Sequence, residues 1–368
     1  MHRSAGSLVV RVMALALVGA ACSAAPPATG TPTSEAATTA PSPSLPVGPS
    51  VGPTSEPEIV VRDGEPWFLS AWYLPGKRTK DLFLTRPDGT DSHPILADLP
   101  GEHLAAAWAP DGTRFAFTIR DAATPLGSIW TANADGSGAS RLTDGGGACP
   151  DGIFHPSWSP DGSKLSVICY PDPGGKEGSV AIFDPATSAV TRLYTVSWPE
   201  HLDGRAEWSP DGASLAFTIY HWDPTDQFVD GSVVAVISAT GGPVDRLTTF
   251  DMDMSTGNWS PDGQEIAIAS NGVGMRHASN EPSNVYAIRP DGTGLRQITR
   301  SSVDGHMRIF APAWTPDGRM LVAIGIASAS GGTVTTVDDI RLAFVDPAGG
   351  EPDLLPSTIH GGTLRPTP

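Results

Sequence analysis

Positive charge is scarce in this chain: across 368 residues, 23 Lys and Arg stand against 40 Asp and Glu, a formal charge of −17 with histidine neutral. Such a surface repels phosphate backbones and anionic lipid, which excludes nucleic acid and a charged membrane face as partners. Charged residues are only 17% of the chain beside 41 Gly and 36 Pro, a composition that excludes a coiled coil or long-helix protein. Cysteine occurs three times, at 22, 149 and 169. Long apolar runs are also missing. The one near the N-terminus, Val12 to Ala21, is ten residues, against about 20 for a membrane-spanning helix. What the chain does carry is ten Trp, enough large apolar surface for a core despite a hydrophobic fraction of 39%.

Residues 1–21 read as an export signal: His2, Arg3 and Arg11, then the apolar run, then small residues before Cys22. Gly19-Ala20-Ala21-Cys22 resembles a bacterial lipoprotein cleavage box, which implies that Cys22 becomes the lipidated first residue of the mature chain. From Ser23 to Pro57 almost every residue is Ala, Pro, Thr, Ser, Gly or Val, a composition that buries too little to offset ordering entropy. Residues 22–57 therefore read as a lipidated tether and 58–368 as a soluble domain held outside the cytoplasm, or secreted if Cys22 is not processed. In that oxidising setting, Cys149 and Cys169, twenty residues apart, are candidates for one disulfide.

A repeat organises the domain. Ala107-Trp-Ala-Pro-Asp-Gly112, Ser157-Trp-Ser-Pro-Asp-Gly162, Glu207-Trp-Ser-Pro-Asp-Gly212, Asn258-Trp-Ser-Pro-Asp-Gly263 and Ala313-Trp-Thr-Pro-Asp-Gly318 recur at spacings of 50, 50, 51 and 55. Pro presets φ, Asp bonds its own backbone and Gly accepts φ > 0, so each string closes a tight hairpin. An alternating strand follows each, such as Arg114 to Ile119, then a variable loop, a third strand and a short fourth one. Four period-two strands per unit make one propeller blade. Third strands near Leu82–Leu84, Ile129–Trp130, Val180–Phe183, Val233–Val236, Val285–Ile288 and Ile340–Phe344 count six units. The expected fold is all-β, a six-bladed β-propeller of four-stranded antiparallel blades, with seven blades the alternative. The first unit, Ile59 to Trp72, lacks the Trp-x-Pro-Asp-Gly string, and the tail from Ser357 either adds a strand or dangles.

These WD40-like strings, with last strands such as Arg141-Leu-Thr143, Arg192-Leu-Tyr194 and Arg246-Leu-Thr248, resemble the TolB-like six-bladed propellers. The resemblance spans 58–368 and implies the fold. Function does not follow from it, because such propellers host binding modules, enzyme subdomains and lyases alike.

The Asp-Gly hairpins are short and repetitive and share one end of the blades. The opposite end carries the variable loops Tyr170–Gly178, Tyr220–Gly231, Ser270–Asn284 and Gly325–Asp338, where binding is expected. His103, His155, His201 and His306 fall there, just before inner strands, with His221 and His277 in the middle loops. Acids accompany them: Glu102, Asp151, Glu200, Asp203, Asp304, Asp251 and Asp253. Together they predict a ring of imidazoles and carboxylates at the channel mouth. Neutral imidazoles with carboxylates suit a divalent metal such as zinc or manganese, with His103, His155, His201 and His306 as ligands. The alternative is a solvated polar rim. Asp251-Met-Asp-Met-Ser255 also echoes a calcium loop, and His221-Trp222 reads either as an aromatic clamp or as loop packing.

Three functions follow. The first is a tethered, non-catalytic, monomeric binding or scaffold propeller whose unidentified protein, peptide or polar partner is basic or brings a cation. The second is a regulatory propeller for a peptidase, which needs a hydrolase domain built around G-x-S-x-G; the string Gly48-Pro-Ser-Val-Gly52 falls in the tether, so the hydrolase would be a separate chain. The third is a metal-dependent polysaccharide lyase, since oligogalacturonate lyases are similar to TolB-type propellers.

Overall fold

A computed structural model describes residues 67–364 apart from 74–78, 87–90, 121–125, 145, 172–175, 224, 226–228, 253, 271–283, 301–306, 316–317, 327–339, 350–351 and 355–361. The described strands form six antiparallel sheets, one per blade. From inside outward, blade 2 uses Glu102–Trp108, Arg114–Arg120, Gly127–Asn133 and Ser140–Thr143. Blade 3 uses Ile153–Trp158, Leu165–Cys169, Glu177–Asp184 and Ala189–Ser197. The inner strands of blades 5 and 6 are Met254–Trp259 and Met307–Trp314.

The ring closes through the C-terminus. Gly362–Leu364 supplies the inner strand of blade 1, pairing antiparallel with Phe68–Tyr73 so that Phe68 lies opposite Leu364 and Ser70 opposite Gly362. Blade 1 thus lacks its own Trp-x-Pro-Asp-Gly string because its first strand comes from the far end of the chain. Residues 59–66 of that unit, Asp63-Gly64 among them, lie outside the described residues.

The repeat string is explained atom by atom. In blades 3, 4 and 5 the Ser hydroxyl after the Trp donates to the Asp carboxylate two residues on: Ser159 to Asp161 over 2.5 Å, Ser209 to Asp211 over 2.6 Å, Ser260 to Asp262 over 2.7 Å. The same hydroxyl accepts the backbone N–H five residues on, from Lys164, Ser214 and Glu265, each over 2.9 Å. Gly162, Gly212 and Gly263 sit at φ of 67°, 70° and 70°, a region where a Cβ is strained. The hydrogen bonds from Ser159 and from the amide and hydroxyl of Ser163 hold the Asp161 carboxyl down at about 2.

Each Trp packs against the preceding blade. Trp158 joins Ala107, Ala116 and Ile129 of blade 2, and Trp259 joins Ala216, Val234 and Val236 of blade 4. The Trp208 indole donates to the Ser157 carbonyl over 3.1 Å and Trp259 to that of Glu207 over 2.9 Å. Burying roughly 150 Å² or more of ring contributes about 4 kcal/mol per wedge before entropy is counted. Blades also approach backbone to backbone: a Cβ on Gly257 would collide with the Pro312 carbonyl. Cys149 and Cys169 form a disulfide, tying the segment before blade 3 to that blade's second strand.

Blade 4 departs from the pattern twice. Its inner strand is split into Glu200–Leu202 and Glu207–Trp208, with residues 203–206 between. Its central strands run long, Ser214–Trp222 and Val229–Ser238, so half of the expected Tyr220–Gly231 loop is strand. The β-branched and aromatic run Thr218-Ile-Tyr-His-Trp222 favours that extension. The hairpin therefore carries its aromatic tip further along the long-loop end than blade 3, whose second strand stops at Cys169.

Candidate functional site

A recurrent inner-strand bulge and the split strand of blade 4 deliver polar side chains to one place. The inner strand bulges just before the repeat Trp in blades 2, 3, 5 and 6, in blade 2 between Leu104 and Ala107 and in blade 3 between Phe154 and Ser157. The residues at the bulge, Ala105 and His155, share the left-handed backbone at φ 46° and 55°. A bulge re-aims the side chain it carries. His155 is anchored there by its own N–H, which donates to the Thr118 hydroxyl of blade 2 over 3.1 Å.

His155 meets the split strand of blade 4. Its Nε2 lies 3.2 Å from Oδ1 of Asp203, an acid whose side chain is 65% exposed. The hydrogen bond from His155, the positive charge that ring can carry, the Gly204 N–H and His201 together outweigh partial burial and hold the Asp203 carboxyl below the ordinary carboxylate range. Two residues on, Arg205 bonds Glu207 through Nε over 2.8 Å and donates from Nη1 to the Ala106 carbonyl of blade 2 over 2.8 Å. Blades 2 and 4 are not neighbours, so that contact passes inside the inner edge of blade 3. Ser157 of blade 3 donates to the other Glu207 oxygen over 2.7 Å. Three blades are thus bridged by one ion pair in the channel.

From Asp203 the site runs outward along blade 4. The Trp222 indole donates to Nε2 of His201 over 3.2 Å, and the His201 ring contacts Tyr220 and Trp222 at 5.2 and 5.4 Å between centroids. A ring that accepts at Nε2 is neutral with its proton on Nδ1. Burial pushes the His201 pKa below the usual histidine range, opposed in part by the Asp203 charge. Trp222 in turn meets Trp198 at 5.9 Å, with planes 35° apart. Beneath this line, the Tyr170 hydroxyl donates to the Leu202 carbonyl over 2.9 Å. Burial and Asp203 push that phenol above its ordinary range. Beside it, His221 bonds Asp230 over 2.6 Å and packs its ring on Phe250.

The predicted ring of histidines is therefore brought together only in part. His155, His201 and Asp203 converge. His103 is fully buried: its Nε2 lies 3.0 Å from the Leu99 carbonyl, its Nδ1 3.7 Å from Asp81, and its ring lies edge-on to Phe117. Glu102 pairs with Arg120, and Glu200 with Arg246 over 2.8 Å. Asp151 joins the blade 3 edge through its backbone N–H, which donates to the Tyr170 carbonyl over 3.1 Å. Asp251 is exposed in a short turn, Phe250–Met252, and Met254 begins a strand. Asp253, His277, Asp304, His306 and Cys22 lie outside the described residues. Among the described residues no three His, Cys, Asp or Glu side chains are placed to hold a metal ion. His103, His155 and His201 do not fit a shared metal: the first is core, the second is bonded to Asp203, and the third accepts from Trp222.

Arg205, Glu207 and Trp198 were missed by the sequence reading. A signal existed for Glu207: the residue before the repeat Trp is Ala, Ser, Glu, Asn or Ala, and only one of those brings a charge.

The fold defines the chain as a six-bladed β-propeller whose polar and aromatic features converge where blades 3 and 4 meet. Its fold is similar to that of TolB-type propellers: a solved TolB-type protein from Agrobacterium tumefaciens superposes with a TM-score of 0.51 at 18% identity, covering 79% of this chain and 88% of that one. Among curated proteins, the uncharacterized peptidase YuxL of Bacillus subtilis is 27% identical over 201 residues, 46% of this chain and 29% of its own length. The uncharacterized protein Atu1656 of Agrobacterium fabrum is 30% identical over 167 residues, 44% of this chain and 52% of its own. The chain thus spans about half or less of the length of these curated relatives. No family model matches.

Proposed function

We propose that this protein is an extracytoplasmic binding propeller, tethered by Cys22 and residues 23–57, that engages a protein or polar ligand through its long-loop end. The observation that carries this reading is the continuous line from the channel to the rim, Arg205, Asp203, His155, His201, Trp222 and Trp198, assembled where the inner-strand bulge of blade 3 meets the split inner strand of blade 4. Charged and hydrogen-bonding groups at its inner end and aromatic rings at its outer end suit recognition of an extended polar ligand. The signal-like N-terminus and the likeness to a TolB-type protein support the location and a role in protein binding.

The test is capture of partners by the full-length chain from a membrane-containing extract, compared with His155→Ala and Asp203→Asn. The reading expects a discrete partner lost in both variants; identical capture by all three chains would overturn it. The stretch shared with a protein named as a peptidase favours a second reading, a propeller that serves a peptidase on a separate chain. Co-purification of a hydrolase in the same experiment would select it.

A further inference from the structure

Trp198 is the most exposed large apolar side chain among the described residues, at 50%. It is not a loose surface residue. Its N–H donates to the Lys176 carbonyl over 3.0 Å, and the Pro199 carbonyl accepts the N–H of Trp222 over 2.9 Å. Two indoles are thus fixed side by side as a shelf, the inner one locked by His201.

The surroundings are acidic. Glu177 lies opposite Ser197 in the strand register, next to Trp198, and both its side chain and that of Asp203 are exposed. Asp223 follows Trp222 directly and is half-buried. Lys176 is the cation on the same rim, and Arg246 nearby is engaged by Glu200. Elsewhere the fold covers aromatic faces with its own guanidinium groups: Arg86 on Trp67 and Arg114 on Trp158 at 4.6 Å, Arg319 on Phe344 at 4.0 Å, Arg246 on Phe250 at 5.3 Å. Trp198 has no such cover among the described residues.

We propose that the Trp198–Trp222 shelf is a binding site for a cationic side chain, arginine or lysine, on an extended basic segment of a protein partner. It deepens the binding reading above by naming the partner's chemistry. An indole face attracts a guanidinium or ammonium through its quadrupole. The net charge of −17 steers a basic segment toward the chain and repels an acidic one. Glu177, paired with Ser197 in the strand that leads to Trp198, adds negative charge to this rim.

The test uses the full-length chain and an acetylated hexa-arginine peptide, with the hexa-citrulline peptide as a neutral isostere, followed by tryptophan fluorescence and calorimetry. The arginine peptide should bind, and the citrulline peptide at least tenfold more weakly. Trp198→Ala, which leaves the net charge unchanged and removes a half-exposed ring, should weaken arginine-peptide binding roughly tenfold, with Trp198→Phe intermediate. Equal affinity for both peptides, or no change in Trp198→Ala, would overturn the proposal, as would quenching of Trp198 by a neutral oligosaccharide but not by the peptide. If Trp198→Ala binds the peptide normally while Asp203→Asn loses the captured partner, the shelf assignment fails and the binding reading stands.

Discussion

Trp222 donates its indole N–H to Nε2 of His201 over 3.2 Å, so the outer half of the site is held in place by a histidine that has to stay neutral. Burial already pulls the His201 pKa below the usual histidine value. Above that usual value both the folded and unfolded chains carry a neutral ring, and stability does not vary with pH on its account. As pH falls through the histidine range, the unfolded chain takes a proton that the folded one resists, so stability declines until the folded pKa is reached. Urea unfolding at pH 7.5 and 5.5 should show a larger loss of midpoint for the wild type than for His201→Gln. Tryptophan emission should shift over the same window only in the wild type.

Leu364 facing Phe68 makes the last described strand a structural member of the first blade. Deleting residues from Gly361 onward removes the inner strand of blade 1 and uncovers its neighbour. The expected loss is at least about 3 kcal/mol, the size seen when buried contacts and ladder hydrogen bonds go together. Denaturant titration would measure it. A truncated chain with unchanged midpoint would mean that blade 1 does not depend on its C-terminal strand.

The Cys149–Cys169 bond closes a loop of twenty residues around the entry to blade 3. Restricting a loop of that length in the unfolded chain stabilises the fold by about 3 kcal/mol. Replacing both residues with Ser should lower the melting temperature by several degrees, and reductant should lower the wild type to the same value. Calorimetry with and without reductant checks both statements. Partner capture should persist in the double variant below its melting point, because both cysteines are buried in the core between blades 2 and 3.

The fold was legible in advance because its determinants are local. Trp, Ser, Pro, Asp and Gly at fixed offsets make hydrogen bonds within five residues of one another, as Ser159 does with Asp161 and Lys164. Any copy of the string closes the same hairpin wherever it falls in the chain. The site was legible only in part. Counted back from the repeat Trp, His155 stands three residues away, His103 five and His201 seven. Side chains on a strand alternate faces, and a bulge resets the alternation. Equal-looking histidines therefore finish in different surroundings: His103 in the core, His155 beside Asp203 and His201 under an indole.

By itself the sequence determined the blade, its hairpin chemistry and the acidic balance, since each rests on composition or on contacts within a few residues, and it favoured six blades over seven. Three features needed the tertiary structure. These are the closure through Leu364, the passage of Arg205 to Ala106, and the exposed placing of Trp198 beside Trp222. Each joins residues whose separation along the chain carries no pattern, and each is set by how neighbouring blades pack around the channel.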